Sequence, residues 1–465
     1  MKRQYLYALL LFLLGLSGCM MGPNFTKPVT QNPAGFRFDT SDNNDEVNLL
    51  WWELFEDEVL DTLVKKALLN NKDVRIAASR LESAKINIAY TKADQWPAFH
   101  YGAGVSASGF SGNTSSSFNV YPQVGWEIGF WGKYRRLNEA AQATYLAGEF
   151  AQQTVKLGIV SAVVSTYYSI LASQDQLQIA SNTVASRDSG LIIMRDKYEG
   201  GLISLMDYNQ AKIQRDVAAT IVPVYKRIIA NYENALSILI GEAPHEIEKG
   251  KPFYQHKYQL DIPVGIPSEL LTRRPDIQQS EALYRVSTAQ IGVAEALRWP
   301  SLSLTGLMGV ASSDLTSLNA MGLTWSAGGS LFGPIFQYGK NKARVELARQ
   351  DAQVALLQYE QTVLNAFKEV EDALVNISTY EEELIAQESR TSTAMESEEL
   401  AYVRYEEGST TYLEVLEQQR QSFSAQLDLL ANRLNILNSY ILLYKALGGG
   451  WLSPEEQQVF LNNQE

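Results

Sequence analysis

The sequence predicts a mainly α protein made of two tandem repeats, each an amphipathic β-hairpin followed by long coiled-coil helices. The first observation behind this is internal similarity, which defines the structural unit before local propensity does. "DVRIAASRLESAKINIAYTKADQWP", Asp73 to Pro97, runs in register with "DIQQSEALYRVSTAQIGVAEALRWP", Asp276 to Pro300, at an offset of 203 residues. "FWGK" at Phe130 then matches "QYGK" at Gln337, and "YEGG" at Tyr198 matches "YEEG" at Tyr405, both at 207, so four residues have entered between the landmarks. The second observation is apolar/polar alternation in the Gly/Ser-rich stretches after each Trp-Pro. The third is a three-and-four spacing of small and apolar residues beyond Gly-Lys.

Composition bounds the function. With 465 residues, 46% hydrophobic and 20% charged, the chain can bury a substantial core in more than one unit. A formal net charge of -13 without any Lys/Arg block argues against a nucleic-acid partner, because phosphate binding needs a basic surface. Three histidines and one cysteine leave little for a His/Cys metal site or a disulfide framework.

The first element explains the cysteine. Lys2 and Arg3 precede an apolar run, Tyr5 to Leu14, too short to span a bilayer comfortably, and Leu16-Ser17-Gly18 leads into Cys19. This resembles a bacterial lipoprotein signal, with residues 1–18 cleaved and Cys19 left as an acylated N-terminus; an ordinary secretory signal or a short anchor are the alternatives. Several acyl chains anchor stably where one binds only marginally. Met20 rather than aspartate after the cysteine favours the outer membrane over retention at the inner one.

Residues 19–60 then form an N-terminal segment and 61–240 the first repeat, with strands at about 99–108 and 118–130. Tyr101, Ala103, Val105 and Ala107 alternate with small or polar residues, as do Phe118, Val120, Val124, Trp126, Ile128 and Phe130. An inter-repeat segment, 241–270, leads to the second repeat, 271–447, with strands at about 301–311 and 321–332, and a tail, 448–465. Its alternating residues are Leu302, Leu304, Met308 and Val310, then Met321, Leu323, Trp325, Ala327 and Leu331. Strands of about ten residues suit a tilted bilayer crossing, although a soluble hairpin gives the same pattern.

Helices are expected from Arg135 to Arg195, Leu205 to Leu239, Gly339 to about Tyr402, and Tyr412 to Leu447. In the third, Ala348, Ala352, Ala355, Tyr359, Val363, Ala366, Val370, Ala373 and Ile377 form a heptad-like seam, over a length of about 90 Å at 1.5 Å per residue. Pro223 should kink or break the second helix. Four membrane strands leave open edges that lipid does not tolerate, and small barrels start at about eight strands. If the strands span a membrane, the chain must pool them with copies of itself.

The motifs carry a resemblance. The lipobox cysteine followed by "MGPNFTKP", "WWELFEDEVLDTLVKKAL", "LLTRRPDI" at Leu271, "FGPIFQYGKNKARVELA" at Phe332, "YLEVLEQQR" at Tyr412 and "ALGGGW" near the end resemble the TolC-like outer-membrane efflux channels. They match specifically the lipoprotein branch serving resistance-nodulation-division (RND) pumps, in order and over nearly all of the mature chain. The resemblance implies a homotrimer whose pooled strands form a 12-stranded β-barrel, continued by an α-helical periplasmic tunnel, in the outer membrane of a Gram-negative bacterium. It implies as partners a periplasmic adaptor protein, an inner-membrane RND transporter and outer-membrane lipid, with no cofactor beyond the lipid on Cys19.

The two glycine turns then lie at the periplasmic tips of helical hairpins. By the family pattern Gly200, Gly201, Leu202, Glu407, Gly408 and Ser409 meet the adaptor, although glycines that only turn the chain read the same way. Leu413, Glu414 and Glu417 can share one helical face. The family places the matching positions in the lumen, at the narrow closed end. There Leu413 makes an apolar ring and Glu417 a ring of carboxylates, with Asp207, the first-repeat counterpart of Glu414, adding another acid. Clustered carboxylates stay charged only where water reaches them, so an acidic, hydrated constriction with cation preference is expected. One departure stands out: Glu406 and Glu407, and Glu199 in the first copy, occupy positions where relatives often carry basic or neutral residues. The family's locking ion pairs are therefore not carried over.

An enzyme is disfavoured: His100, His245 and His256 lie outside any catalytic motif, and there is no G-x-S-x-G, P-loop or H-E-x-x-H. A coiled-coil structural lipoprotein without a lumen and a duct for type I protein secretion remain as alternatives; the lipobox and "RRPDI" favour the pump-associated branch. No residue pattern selects the cargo.

Overall fold

The computed structural model describes residues 20–29, 35–37, 52, 55–110, 113–256, 267–313 and 323–449. The signal segment, Cys19, Met321 and the tail beyond Gly449 lie outside them. In chain order the elements are α1 (Glu58–Asn70), α2 (Lys72–Ala93), β1 (Ala98–Phe110), β2 (Asn113–Ile128), α3 (Lys133–Glu199) and α4 (Leu205–Leu239), then α5 (Pro267–Arg273), α6 (Pro275–Ala296), β3 (Ser301–Ser312), β4 (Leu323–Phe332), α7 (Lys340–Glu406) and α8 (Tyr412–Ala446). Each repeat gives the same series, a 22-residue helix, two strands, a 67-residue helix and a 35-residue helix. The strand-to-helix joint, 129–132 in the first copy and 333–339 in the second, is three residues longer in the second repeat.

The chain divides into two compact units. The first, Met1–Thr30, Ser79–Ala151 and Asp276–Thr362, holds the sheet. Its four antiparallel strands run in the order β1-β2-β3-β4, with Val105 opposite Phe118, Val120 opposite Val310 and Met308 opposite Trp325. The two repeats therefore meet at β2 and β3, and β1 and β4 are edges. Phe99, Tyr101 and Val105 stand out of the same face of β1 and are exposed, as are Leu323, Trp325 and Leu331 of β4. Apolar residues facing outward on alternate positions are what a strand against lipid requires. The duplicated Trp-Pro pairs serve the strand ends: Trp126 Nε1 donates to Gln95 O at 3.0 Å, Trp131 Nε1 donates to Pro300 O at 2.7 Å, and the rings of Trp131 and Trp299 stack at 4.9 Å.

The second unit, Gln31–Ala78, Gln152–Pro275 and Val363–Glu465, holds the principal apolar core. Leu60, Val64 and Ala67 of α1 pack with Val163, Val164 and Tyr167 of α3 and with Leu236, Val370, Ile436 and Tyr444. Along α7 the expected seam is buried from Ala352 to Ile377. Its alanines and single tyrosine leave room for close helix approach.

Asp57 starts α1. Its Oδ1 accepts from Val59 N at 2.9 Å and Leu60 N at 3.2 Å, an N-cap, while Oδ2 accepts from Tyr167 Oη at 2.8 Å. Tyr167 in turn accepts from Gly250 N at 3.1 Å, which fastens the inter-repeat segment to α3. Arg274 of the "RRPDI" motif is buried; it donates to Ala446 O at 2.9 Å and pairs with Glu369 at 2.8 Å. Two motifs remote in sequence, at Leu271 and at the end of α8, thus form one contact.

Pro223 does not break its helix. α4 runs unbroken from Leu205 to Leu239 with Pro223 inside it and exposed. On that face water can meet the carbonyl whose N–H partner the proline lacks.

Candidate functional site

Both tips are built on the same backbone bonds. At the end of α3, Gly201 N donates to Tyr198 O at 2.9 Å and Leu202 N to Lys197 O at 2.8 Å; at the end of α7, Gly408 N donates to Tyr405 O at 3.0 Å and Ser409 N to Arg404 O at 2.9 Å. This pairing is the Schellman motif, and its turning residue needs a left-handed backbone. Gly201 has φ +71° and Gly408 φ +73°, with open space where a Cβ would stand. Gly200 is not the turning residue. It occupies the place of Glu407, which accepts a side chain.

The tips are also tied to one another. Lys197 Nζ donates to Tyr405 Oη at 3.0 Å, and Tyr405 Oη lies 3.6 Å from Met194 Sδ. Tyr198 stacks on Tyr208 at 5.8 Å, and Tyr405 packs against Tyr412 at 5.0 Å. Burial pushes the Tyr412 hydroxyl up to about 12. Leu202, Leu205 and Met206 stand exposed at the first tip.

The four expected gate residues behave differently. Leu413 is exposed, while Val415 and Leu416 of the same turn are buried. Asp207 lies at the third position of α4 and reaches back to Ser204, accepting from its N at 3.1 Å and its Oγ at 2.8 Å in a capping box. Glu414 holds the equivalent position in α8, but its longer side chain reaches Arg404 at 2.7 Å and accepts from Thr410 Oγ1. Glu417 pairs with Arg420 at 2.6 Å and accepts from Gln421 Nε2 at 2.8 Å. Hydrogen bonding from Arg420 holds its carboxyl well below the usual range, at about 2. Each of these acids has a partner within the chain.

Arg404–Glu414 crosses the turn and closes the second tip, a contact the sequence hid because the ten-residue separation places the pair together only once the Schellman register is known. Arg420 was legible, three residues beyond Glu417. Arg187 was not. It is buried where α3, α4, α7 and α8 approach, donating to the backbone oxygens of Gln214 and Gln419 with its guanidinium 5.5 Å from the Phe423 ring. Beside it lies a cavity of about 210 Å³ lined also by Glu398 and Gln426. Among the described residues no group of three or more His, Cys, Asp or Glu could hold a metal ion. His100 lies in β1, His245 leans on Ala243 O at 2.8 Å, and His256 is buried 3.7 Å from Asp57 and edge-on to Tyr168.

The outer membrane efflux protein family matches residues 63–242 and 266–449. The toluene efflux pump outer membrane protein TtgC of Pseudomonas putida is 33% identical over 460 residues, 95% of each chain. The cation efflux system protein CusC of Escherichia coli is 31% identical over 451 residues, 94% of this chain and 97% of that one. The solved structure of the Campylobacter jejuni CmeC outer membrane channel superposes with a TM-score of 0.89 at 26% identity, covering 96% of this chain and 98% of that one. With the family matched over residues 63–242 and 266–449, most of its length, the chain belongs to the outer membrane efflux protein family and is an outer-membrane efflux channel.

Proposed function

We propose that this chain is the passive exit duct of a tripartite efflux system, in which three copies pool their strands into one twelve-stranded barrel continued by a periplasmic tunnel. The observation that carries the reading is the sheet of four strands with both edges unpaired among the described residues. Exposed strand edges in lipid cost several kcal/mol per unsatisfied group, on the order of the whole stability of a domain after a few residues. Closure with copies removes that cost.

The helical tips face the periplasm in this reading. Gly200, Gly201, Leu202, Glu407, Gly408 and Ser409 meet a periplasmic adaptor, which links the duct to an inner-membrane RND transporter. Leu413 narrows the closed end as an apolar ring, and Glu417 lies one helical turn further along the same face. Because Arg420 neutralises Glu417 and Arg404 neutralises Glu414 within each chain, opening shifts paired charges rather than isolated ones. Acylation of Cys19, supported by the lipobox, adds a lipid anchor. Similarity over nearly the whole chain both to a relative named for toluene efflux and to one named for cation efflux supports a wide duct whose cargo of toxic small solutes is selected by the pump and adaptor upstream.

Planar-bilayer recording tests the gate. Leu413→Ser combined with Glu417→Ala is expected to raise closed-state conductance several-fold; unchanged conductance removes both residues from the constriction. Cysteines at Gly201 and Ser409 are expected to cross-link a periplasmic adaptor in cells, and failure at both tips counts against docking there.

A further inference from the structure

We infer that the cavity beside Arg187 is a binding site for a small zwitterion, a solute that carries a carboxylate and an ammonium on an apolar body. The cavity lies within the second unit, on residues of α3, α7 and α8, and none of its lining residues is among those placed at the tips or the gate. Arg187 is only 4% exposed. Its Nη1 donates to Gln214 O and its Nη2 to Gln419 O at 3.4 Å, which uses only part of what a guanidinium can donate. Its Nε is buried with no hydrogen-bond partner among the described residues. So is Gln419 Oε1, from a residue on the wall of the same cavity. One orphan is a charged donor and the other an acceptor, and leaving either dry is costly.

The long helix does not need a cation at this level. The second repeat carries Ala394 at the equivalent position, 207 residues on, in a helix of the same length. Burial pushes the Arg187 guanidinium below its ordinary value, yet it stays charged, because arginine does not deprotonate in proteins. A buried charge of this kind calls for an opposite charge bonded to it. Glu398, on the cavity wall, acts on the guanidinium through space and not through a hydrogen bond. The direct partner is therefore still to be supplied. Ile179 and Phe423 add apolar walls, and the Phe423 ring lies 5.5 Å from the guanidinium carbon.

Charge matching selects the ligand class. A simple anion entering the cavity meets Glu398 and a simple cation meets Arg187, a like charge in each case. A zwitterion meets an opposite charge at both ends. Its carboxylate accepts from Arg187 Nε, its ammonium donates to Glu398 and to Gln419 Oε1, and its apolar body covers Phe423 and Ile179. The volume of about 210 Å³ is below the roughly 300 Å³ at which drug-sized pockets begin, which suits a solute of the size of an aromatic α-amino acid. Occupied in this way, the site bridges α3, α7 and α8.

Titration calorimetry on the detergent-solubilised full chain tests the site with phenylalanine, with hydrocinnamate, which lacks the ammonium, and with phenethylamine, which lacks the carboxylate. Phenylalanine is expected to bind about tenfold more tightly than either, since each charge-assisted bond is worth about that factor. Glu398→Gln keeps both bonds from Arg187 to the backbone, so it removes a ligand partner without untying the helices. It is expected to weaken phenylalanine about tenfold and to leave hydrocinnamate no weaker. Arg187→Gln is expected to abolish phenylalanine binding; should that variant fail to fold, the probe series and Glu398→Gln still decide. Equal affinity for the three probes overturns the zwitterion assignment, as does an equal loss of phenylalanine and hydrocinnamate in Glu398→Gln. Binding that survives in folded Arg187→Gln overturns the site. No binding of phenylalanine to the unmutated chain leaves the cavity to water and overturns it too.

Discussion

Gly201 and Gly200 are adjacent, and only one of them is needed as glycine. Gly201→Ala puts a Cβ on a left-handed backbone and is expected to cost about 1–2 kcal/mol, whereas Gly200→Ala, at the place Glu407 fills in the other repeat, is expected to be nearly silent. Thermal unfolding of the two variants checks the difference. Glu417 yields a second expectation. Its carboxyl, held at about 2 by Arg420 and Gln421, stays ionised as pH falls through the ordinary value of 4.5 and is neutralised only near the lower one. A carboxylate depressed in the folded state contributes stability that is present above its unfolded value and is lost as pH falls through the folded one. The pair is exposed, so salt screens that contribution. The ion selectivity of the closed channel should therefore be flat between about pH 7 and pH 4, whereas Arg420→Gln, which unmasks the Glu417 charge, should raise cation preference at pH 7 and lose that gain towards pH 4 as Glu417 returns to an ordinary carboxylate. Ion-selectivity recordings at each pH distinguish the two. These residues were legible unequally: glycine at a turn and an arginine three residues from a glutamate follow from local rules, whereas Arg404 meeting Glu414, or Lys197 meeting Tyr405, requires the folded tip.

Helices were readable because their signal is periodic. α4 begins and ends where the spacing placed it, and α3 and α7 extend only a few residues beyond their expected ends, since frayed last turns carry little pattern. Pro223 does not break α4 because one missing hydrogen bond on an exposed face is small beside the buried contacts of Ala218, Ile229 and Leu236 on the same helix. Pro223→Ala restores that bond and is expected to raise the unfolding midpoint. Arg274 acts in the other direction. Arg274→Met leaves Ala446 O without its buried donor and is expected to cost about 2 kcal/mol. Denaturant titration reads it, with Glu369→Gln as the control for the half-exposed ion pair. "RRPDI" and "ALGGGW" were visible as separate motifs, and their contact was not, because nothing local links segments that far apart.

Membrane closure belongs to the whole assembly. The duplicated order of elements followed from internal similarity alone, and so did the need for copies, since four strands leave two edges. Amides of β1 and β4 are expected to exchange slowly in the detergent-solubilised oligomer and quickly once it is dissociated, while those of β2 and β3, paired within the chain, change much less. Hydrogen exchange on the two forms tests that.

The matched helix lengths, 67 with 67 and 35 with 35, constrain what variation the channel tolerates. Lys197 bonds Tyr405 only because both long helices reach the same level, so a heptad deleted from one copy alone would carry its tip about 10 Å away from the other. The four residues gained by the second copy lie between its Trp-Pro and Gly-Lys landmarks, away from the tips. Descendants of this duplication can therefore lengthen or shorten their reach only by paired edits, and slack accumulates at the joints instead.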